Sequence, residues 1–261
     1  MTIKKNNRSQ AGPGSQKIST TKQLVAWVSP DSSKTLHVET AGPNLLHRNL
    51  HEARRIRTGA QYKAQRNYSG LYAFAGRHVW YESLFEKTAL MSLDYLGGIR
   101  TITSQPMMMQ FADSTVHYPD FFAVHSDGSQ VVYDVRPKEL LDEKTAVVFA
   151  KTKRICDLVG WRYELFTTID PMVKSNLEWI AGYSDPRYAP AADIAEQVLI
   201  ATINPMRFRD VVEFIDPIVP ARGAMSIYNL LWNHLLDFDM TQQLNTYTYL
   251  TSSVLSGKDN D

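Results

Sequence analysis

The chain has 261 residues, of which 44% are hydrophobic, 21% charged and 11% aromatic, and a formal net charge of +1. This is enough chain for one large domain or two modest ones, and no apolar run is long enough to span a bilayer. Cys156 is the only cysteine; that excludes an internal disulfide framework and a cysteine-built zinc site, fits a reducing cytoplasm, and accompanies a polar N-terminus unlike a signal peptide.

In chain order, residues 1–22 read as a disordered, basic polar tail, and residues 23–80 as a basic extension. Within the extension, Leu24–Val28 and Leu36–Val38 fit two small strands, and residues 71–81 fit a strand pair turning near Gly76. The near-neutral total hides an asymmetry. Residues 1–66 hold 12 Lys/Arg against 3 Asp/Glu, residues 67–190 hold 12 against 15, and residues 191–261 hold 4 against 9. The stretch Arg48, Arg54, Arg55, Arg57, Lys63 and Arg66, interleaved with Tyr62 and Tyr68, is therefore the candidate for contact with a DNA backbone.

Tyr81 to Leu96 has helical spacing, with Leu84, Phe85, Thr88, Met91, Leu93 and Tyr95 alternating with polar positions. Ser83-Leu-Phe-Glu86 fits a capping box, in which the Ser and the Glu three residues later satisfy each other's backbone N–H. Gly97-Gly98 ends that helix. Ile99 to Phe111 reads as a strand with an irregularity at Pro106, followed by a hairpin over 116–136 that Pro137 stops. A helix is expected over 142–159 with Ala146, Val147, Ala150, Ile155 and Leu158 on its apolar side, then a strand from Trp161 to Thr167. A helix from Pro171 to Ile180 and a turn-rich linker, 182–190, lead to helices at 191–203, 206–215 and 224–236 and a possible hairpin after Met240. Three helices and a hairpin suggest a winged-helix-like unit, over 191–255. Its acidic balance suits protein docking, or folding back on the core, better than gripping phosphates.

The hairpin carries the chemistry. Asp120 opens its first strand and Asp134 lies near the end of the second, with Arg136 two residues on and so on the same face. Acids gathered on a sheet face are costly unless paired, hydrogen-bonded or bound to metal. The turn decides whether they meet. A three-residue loop, Ser126-Asp127-Gly128, pairs 125 with 129 and sets Asp120 opposite Asp134. A two-residue Asp-Gly turn pairs 120 with 135 and puts the acids on opposite faces. Taken alone, Glu86 is a capping-box acid, and Asp134 with Arg136 is an edge-strand pair. His117 and His125 have no second ligand at zinc-site spacing. Met107-Met-Met109 reads as core filling, and Gln105 as either a strand-entry residue or an outer contact of the acidic site, the former preferred.

Taken in order, Ser83-Leu-Phe-Glu86, Gln105-Pro106, Tyr118-Pro-Asp-Phe-Phe122, Asp134-Val-Arg-Pro137 and the segment Ile169 to Ile180 resemble the TnsA-like endonuclease subunits of heteromeric cut-and-paste transposases. The resemblance covers roughly residues 80–188 and implies an α/β, restriction-endonuclease-like PD-(D/E)xK core over 81–182. It also implies that Glu86, Asp120 and Asp134 hold Mg²⁺, with Mn²⁺ as a substitute, and that the protein cuts the 5′ ends of an element. Its implied partners are double-stranded DNA, a DDE-type transposase and an AAA+ ATPase regulator, with no membrane. Arg136 stands where the family usually has lysine; it keeps the charge but is a poor proton acceptor. Lys138 would share its face only if the strand ran on past Pro137. The competing expectations are a non-catalytic scaffold of the same fold and a stand-alone restriction or repair nuclease.

Overall fold

A computed structural model of the chain describes residues 22–56 and 68–253. Most of the expected tail, with Arg57, Tyr62, Lys63 and Arg66 of the basic stretch, lies outside the described residues. So do residues 254 and 255 of the expected C-terminal unit.

Strands β1 (Leu24–Val28) and β2 (Leu36–Thr40) form an antiparallel pair. After a loop with two short 3₁₀ turns comes a separate hairpin of β3 (Gly70–Phe74) and β4 (Arg77–Tyr81). Its two turn residues, Ala75 and Gly76, both have positive φ (44° and 76°), as a tight primed turn requires. Helix α1 (Leu84–Leu96) starts at the N-cap Ser83 and stops at Gly97, φ 70°. Next come β5 (Ile99–Ser104), β6 (Met107–Gln110), β7 (Val116–His117), β8 (Phe121–His125) and β9 (Gln130–Val135). Helix α2 (Glu143–Val159), β10 (Arg162–Phe166) and α3 (Pro171–Ile180) complete the central part.

The expected strand from 99 to 111 is two strands in two different sheets. β5 joins a mixed sheet in the order β10-β9-β8-β5, whereas β6 joins a second sheet in the order β2-β1-β6-β7. The chain changes sheet at Gln105, a buried non-glycine residue with φ 45°. Such a conformation costs about 1–3 kcal/mol. It is held by the Gln105 N–H to the Asp120 carbonyl (2.9 Å) and by the Ile56 N–H to the Gln105 carbonyl (3.0 Å). The first arm of the expected hairpin is split in the same way, because β7 lies in the second sheet and β8 in the mixed one.

Residues 24–54, read as part of a basic extension, belong to the packed core. β1 pairs with β6, and Val25, Trp27, Leu45 and Leu50 pack with Met107, Met109, Phe122, Val132 and Ile155. Met107 and Met109 are fully buried, as core filling demands. The other face of the mixed sheet presents Phe121, Ala123, Val131 and Tyr133 to Leu90 of α1 and to Phe74 and Val79 of the hairpin. The sheet is therefore covered on both sides, which is why β8 and β9 are continuous apolar runs.

Two helix faces differ from expectation. On α2 the buried residues are Thr152, Ile155, Cys156 and Val159, while Val147 and Leu158 are exposed. The stripe that faces the sheet is displaced from the one the apolar pattern suggested. On α1 the buried positions run from Thr88 to Ser92, since Leu90 meets the mixed sheet and Met91 meets the C-terminal unit.

That unit consists of α4 (Ala192–Ala201), β11 (Met206–Arg207), α5 (Phe208–Ile215), α6 (Pro220–Trp232), β12 (Leu236–Asp237) and β13 (Tyr249–Ser252). Its sheet has the order β11-β13-β12. The expected helix over 224–236 starts four residues earlier and ends at Trp232, and Leu236 belongs to a strand. The unit shares a core with Met91, Leu177 and Ile180. Two buried asparagines tie it down. Asn176 of α3 donates to the Met240 and Gln242 carbonyls (2.9 and 2.8 Å) and accepts from the Leu244 N–H (3.2 Å). Asn229 of α6 donates to Tyr183 and Asp185 in the linker (2.8 and 3.2 Å). Among the described residues no helix is long and apolar enough to cross a membrane.

Candidate active site

The turn between β8 and β9 has the three-residue form. The His125 N–H donates to Ser129 and the Gly128 N–H to His125, with Gly128 at φ 81°. The ladder then runs Val124–Gln130, Ala123–Val131, Phe122–Val132 and Phe121–Tyr133, and its next step sets Asp120 opposite Asp134. Both acids share the parity of Phe122 and Val132, so they lie on the face covered by α2. They stand at the end of the sheet where β8 begins and β9 finishes.

A cleft of about 640 Å³ opens there, lined by Glu82, Glu86, His117, Tyr118, Asp120, Asp134, Arg136 and Lys144, with Val148 and Phe149 of α2 as its apolar wall. Glu86 reaches it from the first turn of α1, on the other face of the sheet. Its placement follows from the capping box. The Glu86 N–H donates to Ser83 Oγ (3.1 Å), the Ser83 hydroxyl to Glu86 Oε1 (3.1 Å), and the Glu82 N–H to Glu86 Oε2 (2.7 Å). The capping role and the place in the cleft are thus compatible.

Asp134 is 1% exposed, on an interior strand. Tyr163 on the neighbouring β10 donates its hydroxyl to Oδ2 at 2.8 Å, and His117 Nε2 lies 2.9 and 3.0 Å from the two oxygens. The His117 ring is packed edge-on against Phe149. Asp120 Oδ2 accepts the Val135 N–H at 2.7 Å. Burial pushes the Asp120 carboxyl well above the usual carboxylate range, reinforced by the charges of Asp134, Glu86 and Glu82 and only partly offset by that N–H. Burial, then the charge and hydrogen bond of Asp134, pushes the Tyr163 phenol up as well, so it stays a donor.

The cations are arranged differently from the expected pattern. Arg136 lines the cleft but is exposed, and its Nε donates to the Leu140 carbonyl at 3.2 Å. β9 ends at Val135, and Lys138 begins a 3₁₀ turn after Pro137, so it does not continue the face of Asp134. Lys144, in the first turn of α2, does line the cleft. Sequence reasoning passed over it, although a lysine in a helix's first turn opposes the helix dipole and so invites another explanation. His117 and Tyr163 were missed as partners of Asp134 because one comes from the second sheet and the other lies 29 residues downstream. Gln105 leads into β6 as read, and it also holds Asp120 through the backbone. Of the basic stretch, Arg48 pairs with Glu39 (2.8 Å), Arg54 Nε donates to the Pro30 carbonyl (3.2 Å), and Arg55 stacks on Trp80.

Among the described residues no three His, Cys, Asp or Glu side chains converge into a formed metal-holding group. Asp134 is engaged by His117 and Tyr163, and Glu86 by its cap. The donor chemistry nonetheless suits a hard cation, because Asp120, Asp134, Glu86 and Glu82 bring only carboxylate oxygens to one cleft. Asp120 is held among like charges at a cost that a cation would relieve. Of the predicted residues, the structure therefore brings Glu86, Asp120, Asp134 and Arg136 to one cleft. In comparison with known proteins, no family model matches the chain and no curated protein matches it.

Proposed function

We propose that the protein is a Mg²⁺-dependent DNA endonuclease with a restriction-endonuclease-like core and a winged-helix-like C-terminal unit. The observation that carries this reading is the cross-strand pair Asp120–Asp134 at the mouth of a cleft that Glu86 also lines. Two features of the fold support it. The β9-α2-β10 crossover gives a mixed sheet with its acids at the strand ends. The C-terminal unit runs helix, strand, helix, helix, strand, strand.

Asp120, Asp134 and Glu86 are the residues that would hold the ion. The chemistry it supplies when bound is activation of a water and neutralisation of charge on the scissile phosphate. His117 and Tyr163 orient Asp134, as outer partners of a ligating carboxylate do. Lys144 and Arg136 line the cleft as cations able to meet phosphate oxygens. Arginine stays protonated at any relevant pH, so of the two only Lys144 can exchange a proton. By the resemblance in the sequence, the substrate is the 5′ end of a transposable element, and the partners are a DDE-type transposase and an AAA+ regulator.

The test is nicking of end-bearing duplex DNA with Mg²⁺ or Mn²⁺, by the chain alone and with a DDE-type transposase and an AAA+ regulator co-expressed. Asp120→Ala and Asp134→Ala are expected to abolish it; unchanged 5′ cleavage in both rejects the assignment. A second reading is a non-catalytic scaffold of the same fold. The engaged state of Asp134 and the turn of Arg136 toward Leu140 favour it. Failure to bind either ion, with transposition surviving loss of all three acids, would select that reading.

A further inference from the structure

A second cleft, of about 330 Å³, lies beside the first and is lined by Arg55, His78, Val79, Trp80, Ile102, Thr103 and Ser104. Its lining includes no carboxylate. It has a guanidinium, an indole, an imidazole and two hydroxyls over an apolar floor, so its polar groups are chiefly donors. Arg55 Nη1 and Trp80 Nε1 are both buried and have no hydrogen-bond partner. Unpaired buried donors destabilise a fold, and here two of them share one cleft. The Arg55 guanidinium lies over the Trp80 ring, 4.8 Å from its centroid. Stacking holds the plane of the guanidinium still where it lines the cleft.

Both walls of this cleft run on into the acidic one. β4, which carries His78 and Trp80, ends at Tyr81, and Glu82 follows. Ser104 of β5 pairs with Phe121, and the next residue, Gln105, donates to the Asp120 carbonyl. Arg55 is fixed at the same corner, because the N–H of its neighbour Ile56 donates to Gln105. We propose that the Arg55–Trp80 cleft is a subsite for a DNA backbone phosphate flanking the cleaved bond. The inference rests on the nuclease reading and assigns the positioning of the strand to residues outside the acidic cluster.

The test measures equilibrium binding of the full chain to a duplex, in chelator so that nothing is cut, over a range of salt concentrations. Losing one phosphate contact lowers the slope of log affinity against log salt by about 0.9. Arg55→Gln should show that change and bind about tenfold more weakly. Arg55→Lys should recover the slope, and Trp80→Phe should weaken binding with the slope unchanged. An unaltered slope and affinity in Arg55→Gln overturns the subsite while leaving the nuclease reading intact. A loss of affinity that only tracks a fall in melting temperature, with no change of slope, also overturns it. A wild-type chain that binds no duplex overturns both.

Discussion

Buried polar side chains serve opposite ends in two parts of this molecule. In the C-terminal unit and its seam, Asn176 and Asn229 are nearly inaccessible, and each spends its amide on backbone carbonyls of a loop that would otherwise be loose. Their burial is explained by architecture alone. At the end of the mixed sheet, Asp120 is half-buried against Asp134, Glu86 and Glu82, and its one N–H partner only partly offsets the cost. Burial of that kind lowers stability, and a fold keeps it where the site has another use. The contrast separates a polar residue that builds the protein from one the protein must support.

The largest effect should come from Asp134→Ala, which is expected to cut nicking by at least about 10²–10³-fold. The parallel change Asn229→Ala should leave nicking per folded molecule unchanged. In urea unfolding, Asn229→Ala is expected to cost about 2–3 kcal/mol, because two linker carbonyls lose their donor. If Asn229→Ala proved neutral in stability, the architectural half of the comparison would fail.

Asp120→Asn is expected to act in the opposite direction. It keeps an acceptor for the Val135 N–H and removes the charge, so without metal it should raise stability by roughly 1–2 kcal/mol at neutral pH while abolishing cleavage. The sign follows from the raised pKa. A group protonated more readily in the folded state favours folding fully below its unfolded value, near 3.8, and that advantage is lost as pH rises through the folded value. The gain in Asp120→Asn should therefore vanish when melting is measured below pH 3.8. A variant less stable than wild type at pH 7 would contradict the strained-acid account. The smallest effect should be at Val147, exposed on α2: Val147→Ser is expected to shift stability by less than about 0.5 kcal/mol. A larger loss would restore the helix face read from the apolar pattern.

Local chemistry carried much of this structure in plain view. The start of α1 was legible because a Ser-x-x-Glu cap satisfies backbone donors within one turn of the chain. The end of α2 was legible because Gly160 takes the left-handed conformation, φ 95°. The register of Asp120 against Asp134 followed from three residues at a turn, since hydrogen bonding there closes over a few atoms. Each of these depends on neighbours a handful of positions apart, and none needs the rest of the protein. The arrangement of the site beyond the acids depended on what came to lie beside them. His117 reaches Asp134 only because β7 leaves the hairpin for the second sheet, and Tyr163 only because β10 pairs in parallel with β9. Lys144 lines the cleft only because α2 crosses that face of the sheet. The side of α2 that is buried, and the sheet that receives β6, were likewise settled by packing: burial rewards total apolar area removed from water, and many local patterns can supply it.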